Sequence, residues 1–114
     1  MQIQVTTDNH IEGSEGLTHH VESVVADTLD RFNDRVTRVE VHLGDENSHK
    51  HGGHWCTIEA KLAGMPPAAA TAQADTLNRA IDAAAEKLLN VLDHTVGKNE
   101  HQKKRLPMNG GPEH

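Results

Sequence analysis

The most conspicuous chemistry in the chain sits near its middle, in the segment VHLGDENSHKHGGHWCTIEAKLAG over residues 41–64. There His49, His51, His54 and Cys56 supply nitrogen and sulfur atoms of the kind that bind zinc, which needs three or four such ligands converging at about 2.0–2.3 Å. The order His-x-His-x2-His-x-Cys matches no standard zinc spacing, and Gly52-Gly53 interrupts it. Cys56 shares strand parity with Ile58, Ala60 and Leu62, which directs it inward, where a thiol packs as a small hydrophobe. The expectation is no specific metal site, with His49, His51 and His54 as weak candidates on a polar hairpin tip.

Other reactive groups carry less. Cys56 beside a histidine suggests a nucleophile and base, but that chemistry needs an exposed thiolate of lowered pKa. Asp45-Glu46 is a pair of carboxylates, which do acid–base work only in a cleft that shifts their pKa values. Gly52-Gly53 follows no phosphate-cradling pattern. No catalytic constellation emerges, so the expectation is a non-enzymatic protein with no cofactor and no small-molecule substrate.

The basic side chains remain. Arg31, Arg35 and Arg38 fall close together in sequence, and Arg79 and Lys87 lie eight apart, about two helical turns. Guanidinium binds phosphate through two parallel hydrogen bonds, whereas an ammonium acts as a point charge. These five residues could meet phosphate, with Lys98, Lys103, Lys104 and Arg105 as a second group that becomes a set of RNA contacts only on the family resemblance given below. The competing reading is that they are solubilising charges balanced by Asp27, Asp30, Asp34, Asp82 and Glu86.

The whole chain sets the bounds. Its 114 residues suit one domain, and a single cysteine implies no disulfide framework and a reducing, cytoplasmic setting. No apolar run approaches the roughly 18 residues that span a bilayer, and MQIQVTTDNH does not read as a signal peptide. Net charge is −6, with ten histidines left uncounted. Residues 1–97 hold 7 basic and 15 acidic side chains, a net −8, whereas residues 98–114 hold 4 and 2, a net +2. A nucleic-acid binder ordinarily shows a basic footprint, so any such function here must rest on a local patch.

Periodicity supplies the elements that would position these groups. Gln2–Thr6 alternates as a half-buried strand, and Ser14 is a plausible N-cap for an amphipathic helix over 15–33. Alternation returns over 36–43 and 56–62, which predicts an antiparallel hairpin with a long Gly-Gly connection. Gly64-Met65-Pro66-Pro67 predicts a tight turn, and Ala68–Gln73 a fourth strand despite the poor strand propensity of alanine. A second helix begins near Asp75 with the stripe Leu77, Ile81, Ala84, Leu88, Val91, Leu92 and Thr95, and Gly97 is a natural terminator. The expected fold is an α+β two-layer sandwich of order β-α-β-β-β-α, its four-stranded sheet carrying two helices on one face. It would fill residues 1–97, with 98–114 as a flexible polar tail.

The register MQIQV-x-TDNHIEGSE, then RFNDRVTRVEVHLGDEN, the glycine-rich loop, C-x-IEAKLAG-x-P and the late AIDAAAEKLLNVLD resemble the ribosome hibernation factor family. This family comprises ribosome-associated inhibitors and hibernation-promoting proteins, once labelled sigma-54 modulation proteins. The resemblance covers roughly residues 1–97 and implies a fold like the double-stranded RNA-binding domain with an extra strand. It also implies binding to the small ribosomal subunit and its ribosomal RNA near the messenger channel and tRNA sites, halting translation under stress. DNA and membrane are not expected partners. The chain ends without the second domain of the long type, so it resembles a short type. In familiar short members the last helix continues into a run of Lys and Arg, whereas here that stretch reads Leu89-Asn90-Val91-Leu92-Asp93-His94. The alternative is a family-like domain that has lost RNA affinity and acts as a protein-interaction or metal-responsive module.

Overall fold

The computed structural model describes residues 1–8, 15–45 and 53–109, with side chains described as far as Gly97. The elements run β1 (Gln2–Thr7), α1 (Glu15–Thr28), a 3-10 turn (Asp30–Phe32), β2 (Val36–Asp45), β3 (His54–Leu62), β4 (Met65–Ala74) and α2 (Leu77–Asn109). The α+β order expected from the alternation is the order observed. The four strands form one sheet in the order β1-β2-β3-β4, with β1 parallel to β2 and the other pairs antiparallel.

Register explains which face is buried. Ile3 and Val5 pair with Val39 and Val41, which pair in turn with Ala60 and Ile58, and Leu43 pairs with Cys56. On β4 the same rows end in Ala68, Ala70 and Ala72. Because side chains alternate across a strand, all of these fall on one face, which the helices cover. From α1 and the 3-10 turn come Val21, Val25, Leu29 and Phe32; from α2 come Ala80, Ile81, Ala84, Ala85, Leu88, Leu92 and Val96. Burying each of the larger aliphatic side chains is worth about 1.5–3 kcal/mol, so this layer holds the fold. Small residues on both sides, three alanines on α2 and three on β4, allow the helix to lie close to the strand. That proximity offsets the poor strand propensity of the alanines.

Four boundaries differ from the periodicity. Helix α1 ends at Thr28, and the chain tightens into the 3-10 turn instead of continuing to residue 33. The hairpin strands are longer than expected, reaching Asp45 and beginning at His54. The β3–β4 turn is only Ala63-Gly64, with Gly64 at φ 73°, the left-handed region open to glycine, and Met65–Pro67 already belong to the strand. Pro66 and Pro67 fit there because β4 is an edge strand and its register with β3 slips between Ala60 and Leu62, leaving both prolines outside the paired ladder. Helix α2 starts after Thr76, the neighbour of Asp75, as the spacing predicts, and the Thr76 Oγ1 accepts the Arg79 N–H at 3.1 Å as an N-cap.

The fourth difference is the largest. Gly97 does not terminate α2: the helical backbone continues through it to Asn109, where a non-periodic tail was expected. A Cβ at Gly97 would meet nothing within 4 Å, so that side of the helix is open at this point. At 1.5 Å per residue, α2 spans about 50 Å. Within the packed part, Val91 is exposed at 37% and Thr95 half-buried, while Ala80, Ala85 and Val96 take core places that the expected stripe omitted. Ser14 lies outside the described residues.

Candidate nucleic-acid interface

The two arginines of the first cluster that face the helical layer meet in a groove. Arg31, Phe32, Asp34 and Arg35, from the 3-10 turn and the bend after it, line one side; Asp93, Val96 and Gly97 of α2 line the other, enclosing about 370 Å³. The turn forms because Phe32 N–H and Asn33 N–H bond back to the Leu29 and Asp30 carbonyls, which buries Phe32 and leaves Arg31 outward. Arg31 Nη2 donates to both carboxylate oxygens of Asp93, a contact between residues 62 apart in sequence. Its guanidinium carbon also lies 5.3 Å from the Phe32 ring centroid, a cation–π distance that steadies the group. Arg35 is half-buried, and its carbonyl accepts the Ala63 N–H.

Arg38 is elsewhere. Its place on β2 puts it on the outer face of the sheet, away from the helices, where it donates to Gln4 Oε1 and lies 3.2 Å from Glu40 Oε2. The three arginines are adjacent in sequence but divide between two surfaces, because β2 begins between Arg35 and Arg38 and alternation then decides the face.

On α2, Arg79 lies 3.4 Å from Asp75 with both side chains largely exposed, an arrangement that adds little to stability. Lys87 Nζ donates to the Thr71 carbonyl of β4 at 3.1 Å, so it also caps the edge of the sheet. Lys98, Lys103, Lys104 and Arg105 belong to the part of α2 beyond Gly97, as an extension of the helical backbone. Helix α1 carries Glu15, Glu22 and Asp27 and no lysine or arginine.

Of the expected metal candidates, His54 lies among the described residues. His54 is the first residue of β3, not part of the tip, and its Nδ1 is 3.9 Å from Asp45 Oδ1 across the strand pair. His49 and His51 lie outside the described residues. Cys56 is fully buried on the core face, and burial pushes its thiol from the ordinary 9.0 up to about 12. A thiol held protonated in this way is neither a nucleophile nor a ready ligand at neutral pH. Among the described residues no three His, Cys, Asp or Glu side chains are grouped to hold a metal ion. On the outer face Trp55 lies over Gly44, where a built Cβ would come within 2.2 Å of the indole.

Asp93 is the site residue that sequence reading missed as a partner. Nothing in the local pattern marks it, since its contact depends on the packing of α2 against the turn.

Fold and surface together define a small α+β domain with a groove lined by two arginines and two aspartates beside its last helix. The chain belongs to the family described as Sigma 54 modulation protein / S30EA ribosomal protein, whose model matches residues 3–100. Among solved structures it is similar to the N-terminal domain of Protein Y from Thermus thermophilus, with TM-score 0.70 and 21% identity over 83% of this chain and 99% of that one. It is equally similar to a ribosomal subunit interface protein from Coxiella burnetii, with TM-score 0.70 and 19% identity over 85% and 99% of the two chains. At these identities the likeness is one of fold. No curated protein matches. No helix of the described residues is long and apolar enough to cross a membrane.

Proposed function

We propose that this chain is a cytoplasmic, non-enzymatic translation inhibitor that binds the small ribosomal subunit and occupies its messenger and tRNA channel under stress. The observation that carries the reading is the family match over residues 3–100. The mechanism is steric: the domain acts as a wedge, and cations position it by pairing with ribosomal RNA phosphates. The contacts fall to Arg31 and Arg35 in the groove, Arg79 and Lys87 on α2, and Lys98, Lys103, Lys104 and Arg105 beyond Gly97. Arg38 belongs to the other surface and serves only if the outer face of the sheet also meets RNA.

A second reading has its own observation. Helix α1 presents three acids and no fixed cation, which suits a protein partner better than phosphate. Sedimentation with ribosomes separates the two. The expected result is protein in the ribosomal pellet at low salt with release as salt rises, because phosphate contacts release counterions. Protein that stays in the supernatant even at low salt favours the interaction module.

A further inference from the structure

The groove between the 3-10 turn and α2 has a property that the ribosome reading does not require. Its lining holds two guanidinium groups, Arg31 and Arg35, and two carboxylates, Asp34 and Asp93, so it is neutral overall. Asp93 sets both carboxylate oxygens against one nitrogen of Arg31. Among the described residues, Arg31 Nε and Nη1 take no part in that pair. The guanidinium is steadied from the Phe32 ring at 5.3 Å, not by burial. Both partners remain substantially open to water, at 59% and 44% of their side-chain surface. An ion pair so exposed is worth little net free energy, and its anion is exchangeable. The other wall, Val96 and Gly97, adds no charge and no side chain that would block entry.

We propose that this groove is a seat for a single RNA phosphate, and that in the free protein the carboxylate of Asp93 occupies the phosphate's place. Asp93 is then an internal competitor: RNA binds by exchanging one anion for another on Arg31, and the exchange lowers affinity without altering the fold. A phosphate offers tetrahedrally placed oxygens, so it can engage Nε and Nη2 together, which one carboxylate held from α2 does not do here. Removing the charge of Asp93 leaves the lining with one net positive charge. The proposal rests on the nucleic-acid reading of the surface but concerns a residue that reading leaves out.

The test uses the full chain and four variants, D93N, R31Q, the double variant D93N/R31Q, and D82N. The last removes an equal charge from another exposed position on α2 and controls for net charge. Binding is followed by fluorescence anisotropy on two probes, poly(U) and purified small ribosomal subunits, across a salt series, with thermal melting to confirm the fold. D93N is expected to bind both probes about three- to tenfold more tightly than the parent, whereas R31Q, which loses one phosphate contact, should make the salt dependence shallower by about 0.7–0.9. D82N gains much less. R31Q weakens binding, and the double variant behaves as R31Q, because Asp93 acts only through Arg31. A D93N protein that is folded but no tighter than D82N on either probe overturns the proposal. So does a double variant that keeps the D93N gain. If D93N binds poly(U) more tightly while no variant binds subunits, the seat stands and the ribosome reading fails. If the parent binds subunits and D93N adds nothing, the reverse holds.

Discussion

Within α2, residues 77–97 and residues 98–109 are built for different tasks. The first part buries Ala80, Ile81, Ala84, Ala85, Leu88, Leu92 and Val96, and sets Arg79 and Lys87 against Asp82, Glu86 and Asp93. The second part carries Lys98, Lys103, Lys104 and Arg105 against Glu100 alone, for a net +3. One continuous helix thus joins an acidic, core-forming half to a basic half, with the groove and Asp93 at the junction. On the proposed reading, stability and phosphate affinity reside at different positions of the same element, so substitutions should separate them.

The largest effect should come from the packed half. Leu88→Ala removes a fully buried side chain and is expected to cost about 2–5 kcal/mol in denaturant unfolding. A cost below about 1 kcal/mol would mean that α2 is held by something other than its buried stripe. In the basic half, replacing Lys103, Lys104 and Arg105 together by Gln should leave the melting temperature unchanged. The same variant should lower the salt dependence of ribosome binding by about 2–3, with a loss of tens- to hundredfold in affinity at moderate salt. If affinity is retained, the extension is not where phosphate is met.

A pH series sharpens the view of the packed layer. Cys56 lies under it with a folded-state pKa of about 12 against an ordinary 9.0. The unfolded chain therefore loses the thiol proton first, and stability must fall as pH rises from about 9 towards 12. The slope relative to Cys56→Ala should approach about 1.4 kcal/mol per pH unit. A flat difference between the two proteins would mean that water reaches the thiol. The smallest effect belongs to the junction. Gly97→Ala meets no atom within 4 Å, and alanine is the better helix former, so a gain of up to about 1 kcal/mol is expected. Destabilisation would show instead that the chain needs glycine there to leave the helix.

Sequence made the core legible wherever alternation or helical spacing was strong. Val39, Val41 and Leu43 on β2, Ile58 on β3, and Ile81, Leu88 and Leu92 on α2 all point where their periodicity directs them. It was weaker where small residues did the packing, since Ala80 and Ala85 give no hydrophobic signal comparable to Val91, which the helix turns to solvent. Gly97 misled because glycine is a common helix terminator, whereas here the polar residues beyond it continue the helix. The site was legible only as a set of residue types. Proximity in sequence grouped Arg31, Arg35 and Arg38, but the start of β2 sends Arg38 to the far face. The pairing of Arg31 with Asp93 spans 62 residues and depends on packing that no local pattern encodes.

The claim that matters most is that this domain occupies the channel used by messenger and tRNA. It is tested by preloading small ribosomal subunits with the protein and measuring how much labelled poly(U) and tRNA they then bind at low salt. The account predicts exclusion of both in proportion to the protein bound, relieved by the Lys103, Lys104 and Arg105 replacement. Full binding of poly(U) and tRNA to subunits that retain the protein would contradict it.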